Sequence, residues 1–200
     1  MQRRLWILLF TSVLLWSAVA PKDYFTWLLE VLPALIGALV LLQTERRFPL
    51  TGLLYGLILL HSIILMVGGH YTYAEVPLFD QVKEWFGWQR NNYDKLGHFA
   101  QGLVPAMIAR ELLIRHAVVN GAHWRNLFIV CFCLAFSALY ELIEWWVALL
   151  AGGSAEAFLG TQGDIWDTQS DMALALLGAI FALTTLTGWH DRQLSRLQQT

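Results

Sequence analysis

About six long apolar runs recur along this chain, and each is close to the length that crosses a lipid bilayer. They cover approximately residues 5–20, 25–42, 50–67, 96–113, 127–150 and 172–189. At about 1.5 Å of rise per helical residue, roughly 20 residues traverse the ~30 Å hydrocarbon layer. A helix also satisfies its own backbone donors and acceptors where no water is present. The pattern therefore predicts an all-α fold. It is a polytopic membrane helix bundle of about six transmembrane helices, in a single integral membrane domain over residues 1–200. Composition agrees: 57% of the residues are hydrophobic and 14% charged, against about a quarter charged in soluble domains. The net charge of −2 gives no indication of nucleic acid.

The first run follows Arg3 and Arg4 and ends in Ala18-Val19-Ala20, which imitates a cleavable signal peptide. Pro21 at the next position disfavours cleavage, so the run reads as an uncleaved first span. Glu45, Arg46, Arg47 and Pro49 separate the second run from the third. Asn120 and Gly121 mark the turn after the fourth, and Gly152, Gly153 and Gly160 the loop after the fifth. With the N-terminus inside, Arg3, Arg4, Arg46, Arg47, Arg110, Arg115, Arg125, Arg192 and Arg196 fall on the cytoplasmic side. Only Lys22, Lys83, Arg90 and Lys95 fall outside. The excess of basic residues on one side predicts both termini in the cytoplasm. Within the long outer connection, Leu78, Phe79, Val82, Trp85 and Phe86 recur at helical spacing between Pro77 and Gly87. That predicts a short interfacial amphipathic helix on the outer side, with Trp85 and Trp88 as anchors. Cys131 and Cys133 are two apart in a helix, do not face each other, and read as apolar filler.

Polar residues inside the runs carry the functional information. Glu141 and Glu144 lie in the outer half of the fifth run, where a charge costs a few kcal/mol, roughly 2.5–3.5 on insertion scales, unless it is partnered or protonated. Ser137 extends their stripe. Asp94, His98 and Gln101 share one face of the fourth run, with His98 roughly 6 Å and Gln101 roughly 10 Å deeper than Asp94. Asp164, Asp167 and Asp171 share one face where the sixth begins. Glu30 lies one to two turns into the second run, His61 near the middle of the third and His70 at its outer end. Topology thus predicts one acidic layer near the outer surface. Packed carboxylates sharing protons would make the layer tolerable, and so would a divalent metal ion, for which His98, Glu141, Glu144 and Asp171 are the candidate ligands. A hydrogen-bonded network with Lys95, Tyr93, Tyr140 and Gln101 would serve equally. Asp94 could act only as a helix cap, and Asp164 and Asp167 only as complements to a helix dipole. His61 reads as a hydrogen-bonded interior residue. At the cytoplasmic side Arg110 is expected to snorkel, and His116, His123 and His190 to carry no chemistry.

Three segments resemble a known family. They are Tyr93-Asp94-Lys95-Leu96-Gly97-His98-Phe99 with Gln101-Gly102, Tyr140-Glu141-Leu142-Ile143-Glu144-Trp145, and the stretch from Gly160-Thr161-Gln162-Gly163-Asp164 to Ser170-Asp171-Met172. Together they are similar to the signature segments of the YjdF family of bacterial inner-membrane proteins, and the resemblance extends over essentially the whole chain. It implies location and multi-pass topology but no reaction. A looser likeness connects Asp94, Lys95, His98, Phe99, Tyr140, Glu141 and Asp171 to VanZ-like glycopeptide-resistance membrane proteins. The Asn and Arg those proteins often carry around the start of the last helix are absent here.

Three functions are compatible with the residues. In the first, the protein acts on or binds a lipid-linked or envelope small molecule at the outer leaflet. His98, Glu141 and Glu144 are then the catalytic candidates, and Asp94, Lys95, Gln101, Asp164, Asp167 and Asp171 bind the substrate. In the second, the polar layer only fixes helix packing, as in a non-catalytic membrane scaffold. In the third, the glutamates relay protons or cations in a transporter, although Arg110 and Glu111 alone could continue such a path inward.

Overall fold

The computed structural model describes residues 3–151 and 156–197. Its helices are α1 (Arg3–Ala18), α2 (Tyr24–Thr44), α3 (Gly52–Tyr71), α4 (Pro77–Phe86), α5 (Tyr93–Arg115), α6 (Ala122–Ala151), α7 (Glu156–Leu159), α8 (Asp167–Thr185) and α9 (Thr187–Leu197), with a 3-10 turn at Tyr73–Glu75. Every expected apolar run is helical. Tyr24–Thr44, Gly52–Tyr71 and Ala122–Leu150 are long and apolar enough to cross a membrane, and α8 with α9 joins them if that bent pair is one span. α1 is shorter and α5 more charged, yet both pack inside the bundle, α1 on α3 and α5 on α3, α6 and α8. Gly152 and Gly153, expected in a turn, lie outside the described residues.

Contacts at the two ends of the bundle show the spans alternating in direction. At one end the Lys22 N–H donates to His70 O (2.9 Å), and His70 Nδ1 lies 3.1 Å from Ser17 O. At the other, Trp6 Nε1 donates to Tyr55 O, Leu53 N to Gln193 Oε1, and Thr51 N to Glu111 Oε1. The α2 start is capped by Asp23, whose carboxylate accepts the Thr26 N–H at 2.7 Å. That bond holds the Asp23 carboxyl below its usual range.

The centre is the parallel pair α5 and α8. A Cβ on Gly102 would collide with the carbonyl oxygen of Ala175, and one on Gly178 with that of Phe99. With Ala106, Ala175, Ala179 and Ala182 fully buried alongside, small residues let the two backbones touch, as is common between membrane helices. Below this crossing Leu53, Leu54, Met107, Ile129 and Cys133 complete a buried apolar cluster. Cys133 is buried, Cys131 is exposed, and both are free.

The predicted amphipathic helix is α4. Pro77 opens it, and Gly87 closes it at φ +64°, a left-handed conformation that suits glycine. Its apolar residues divide between two faces. Phe79 packs edge-on against Tyr93 (5.1 Å between centroids), while Leu78, Trp85 and Phe86 are exposed.

The last run departs from expectation. Its helix begins upstream at Asp167 and ends at Thr185, and α9 then leaves at 63°. Thr184 and Thr185 hydroxyls bond back to the carbonyls of Ile180 and Phe181. Such back-bonding bends helices, and the charged face of α9 favours turning to the polar end of α5 over continuing straight.

Candidate functional site

The acids of α5, α6 and α8 do converge. At the rim, Arg90 and Lys95 neutralise the aspartates. Arg90 Nη1 lies 3.2 Å from Asp164 Oδ2 and 2.5 Å from Asp167 Oδ1, and its Nη2 lies 3.7 Å from Asp94 Oδ2. Burial works against the guanidinium charge, but the Asp167 hydrogen bond and the charges of Asp167, Asp94 and Asp171 outweigh it and hold Arg90 above its usual range. Lys95 Nζ donates to Asp167 Oδ1 (2.8 Å), Ser170 Oγ (2.6 Å) and Asp171 Oδ1 (2.7 Å). Asp164 also accepts the Trp166 N–H, which lowers its pKa. The rim is held by Asn91 and Gln162, which exchange two bonds: Asn91 N donates to Gln162 Oε1, and Gln162 Nε2 to Asn91 O. The buried Asn91 side chain also donates to Val76 O and Asp80 Oδ1.

One turn deeper, His98 is the hub. Its Nε2 lies 3.4 Å from Asp94 Oδ1, and its Nδ1 lies 3.2 Å from Gln101 Oε1 and 3.8 Å from Glu141 Oε1. The edge of Tyr140 meets its ring. Asp94, His98 and Asp171 each offer an atom within 4.8 Å of the others, and so do His98, Glu141 and Glu144. Glu141 Oε1 is sealed from solvent without a hydrogen-bond partner, and so is the hydroxyl of Ser137 one turn along α6. Glu144 is half-buried and makes no hydrogen bond or ion pair among the described residues. Glu30, buried on α2, has Tyr73, Asp94 and His98 as its electrostatic neighbours.

Several expectations change. Asp94 is not the cap of α5. Asn92 occupies that position, and the side chain of Asn91 takes the Tyr93 N–H. Tyr93 leaves the network and donates its hydroxyl to Ile64 O of α3 at 2.8 Å. His61 makes no hydrogen bond among the described residues.

At the opposite end Arg110 does not snorkel. It is 3% exposed, and donates to His190 Nδ1 (2.8 Å) and Asp191 Oδ1 (2.7 Å). A guanidinium can only donate, so Nδ1 accepts, and the His190 proton sits on Nε2, 2.9 Å from Glu111 Oε2. Glu111 also accepts from Thr51 N, Thr51 Oγ1 and Arg115. His190 is thus a fully buried clasp between α9 and α5. Sequence reading assigned Arg90, Asn91, Gln162 and His190 no pairing role, because loop residues and a short bent helix carry no span periodicity. An arginine four before Asp94, and the place of Gln162 in a family-like segment, were the available signals.

The family model described as predicted membrane protein (DUF2238) matches residues 2–192. The chain is 56% identical over 186 residues to the inner membrane protein YjdF of Escherichia coli (strain K12), covering 93% of this chain and 89% of that protein. No solved structure matches.

Proposed function

This chain belongs to the DUF2238 family of predicted membrane proteins, and on that footing we propose a one-sided binding or acid–base site for an amphiphilic envelope or lipid-linked molecule. The membrane is the inner membrane, as the name of the E. coli relative suggests. The Asp94 end faces outward and both termini face the cytoplasm, which follows from the distribution of arginines. His98 and Glu141 exchange protons with the bound molecule or orient it, and Glu144 lies alongside. Gln101 steadies the imidazole. Lys95, Asp94, Asp167 and Asp171 hold the rim in shape, while Asp164, whose side chain is 32% exposed, is the acid best placed to meet a headgroup. The exposed Leu78, Trp85 and Phe86 of α4 form an apolar approach.

The observation that carries this reading is the unpartnered Glu141 Oε1 beside His98. Buried polar groups that serve packing alone are satisfied as a rule. At the far end Arg110 Nε is also unpartnered, but the Glu111 carboxylate has both oxygens accepting hydrogen bonds, so of these two buried carboxylates Glu141 is the one left open to a ligand. Transport is the weaker reading, because Met107, Ile129, Ala179 and Ala182 separate the two polar ends with a buried, closely packed apolar layer.

Two measurements test the proposal. Cysteine placed at the exposed Gln89 will react with a membrane-impermeant maleimide in intact spheroplasts. Cysteine at the exposed Ser195 will react only after lysis, and the reverse pattern inverts the site. Native mass spectrometry of protein extracted in mild detergent will show a retained amphiphile. His98→Ala and Glu141→Gln will lose it at least tenfold, while Leu149→Ala on the exposed face of α6 keeps it. Equal retention by all, with each variant folded, removes the site reading.

A further inference from the structure

We infer that His98 Nδ1, Glu141 and Glu144 hold a divalent transition-metal ion, with Asp94 as the carboxylate that orients the histidine. This rests on the reading of the layer as a site and specifies the cofactor it would contain; with the ion bound, His98 and Glu141 orient the bound molecule through the metal and do not exchange protons with it directly.

The two carboxylate groupings around His98 differ in what already neutralises them. In the first, Asp171 Oδ1 accepts from Lys95 at 2.7 Å, and Asp94 Oδ2 lies 3.7 Å from Arg90. Both aspartates therefore have a cation nearby. In the second, Glu141 and Glu144 face no lysine or arginine among the described ion pairs, and the only basic group near Glu141 is His98 itself at 3.8 Å. The side chain of Glu141 is 8% exposed, and its Oε1 lacks a hydrogen bond. A 2+ ion there matches two carboxylates charge for charge, which removes the cost of placing them at membrane depth.

Both ring nitrogens of His98 face oxygens in the ion-free arrangement, and a bound ion would claim the one beside the glutamates. Metal-binding histidines use one nitrogen for the ion and give the other N–H to a carboxylate, which fixes the tautomer. Asp94 Oδ1, 3.4 Å from Nε2, is that carboxylate, leaving the Nδ1 lone pair for the ion on the Glu141 side. The ligand atoms of His98, Glu141 and Glu144 all lie within 4.8 Å of one another. Bonds of about 2.0–2.2 Å to nitrogen and oxygen require them to close by roughly an ångström, which rotation of two glutamate side chains supplies. Gln101 Oε1, 3.2 Å from Nδ1, must turn aside or become a ligand. One imidazole with two carboxylates suits zinc or manganese better than magnesium or calcium, which prefer all-oxygen sets.

The experiment uses the full chain in detergent, stripped with chelator, reloaded with zinc or manganese chloride, desalted and measured for metal by mass spectrometry. Wild type will retain about one ion per chain, with an absorption-edge spectrum of one nitrogen and oxygen donors. His98→Ala and Glu141→Gln will retain less than a tenth of that. Asp94→Asn will bind with affinity lowered about 10–100-fold, as loss of an orienting carboxylate does. The half-buried Glu144→Gln serves if Glu141→Gln fails to fold. Metal equal in wild type and His98→Ala, or negligible in wild type at millimolar zinc, overturns the inference. Loss of the amphiphile in His98→Ala with no metal in wild type rejects the ion alone. Loss of neither rejects the site as well.

Discussion

Replacing Gly102 with alanine will abolish the folded protein or reduce its membrane abundance severalfold, although alanine is the better helix former. The new Cβ would meet the backbone carbonyl of Ala175, and no rotamer change relieves a clash with backbone. α5 and α8 would have to part by roughly 1–2 Å to regain ordinary contact distances. Ordinary overpacking costs about 1–3 kcal/mol. Here the shift also loosens Lys95 from Asp167 and Asp171, which the same two helices carry, so the loss should reach or exceed the top of that range. Gly178→Ala, against the carbonyl of Phe99, will behave likewise. Gly37→Ala is the control: nothing lies within 4 Å of a Cβ there, and the helix should gain about 0.5–1 kcal/mol. Thermal unfolding followed by size-exclusion chromatography in detergent reads all three. A Gly102→Ala melting point equal to wild type would show that the crossing is looser than described.

Lys95→Met will destabilise by about 3–5 kcal/mol, the usual loss when one partner of a buried ion pair is removed. The methionine keeps the length and apolar stem of lysine, so the effect isolates the ammonium. Without it Asp171, with its side chain 2% exposed, loses its lysine partner, with Arg90 held on the neighbouring Asp167 and the His98 ring within 4.8 Å as the remaining basic groups. Adding Asp171→Asn should recover a large part of the loss, because it removes the stranded charge. The contrast is Lys22→Met. The Lys22–Glu75 pair is about half exposed on both sides, and such pairs contribute about 0–1 kcal/mol. Equal melting points for Lys95→Met and Lys22→Met would mean that the rim aspartates are solvated or protonated and need no cation.

Much of this architecture can be read from the chain alone, and so can the neighbourhood of the site. Asp94, His98 and Gln101 had to share a face because of helical spacing, and alternating directions had to bring that face to the level of Glu141 and Asp171. What could not be read is who pairs with whom. Arg90 counted only as an outer charge and Lys95 as a network or substrate-binding residue, yet together they are what separates the neutralised aspartates from the uncompensated glutamates. Tyr93 looked like a network member and instead bonds a carbonyl of α3. Arg110 looked free to reach water, and a buried histidine from a helix that bends back holds it.

The division has a physical basis. Burial in lipid acts on every residue of a run at once, so hydrophobic length and periodicity declare helices, their order and the level of each polar group without reference to partners. Hydrogen bonds and ion pairs act over about 3 Å and depend on side-chain direction. Whether Glu141 is satisfied or left open, and whether α5 and α8 can touch at Gly102 and Gly178, is fixed only once residues distant in the chain have been packed together.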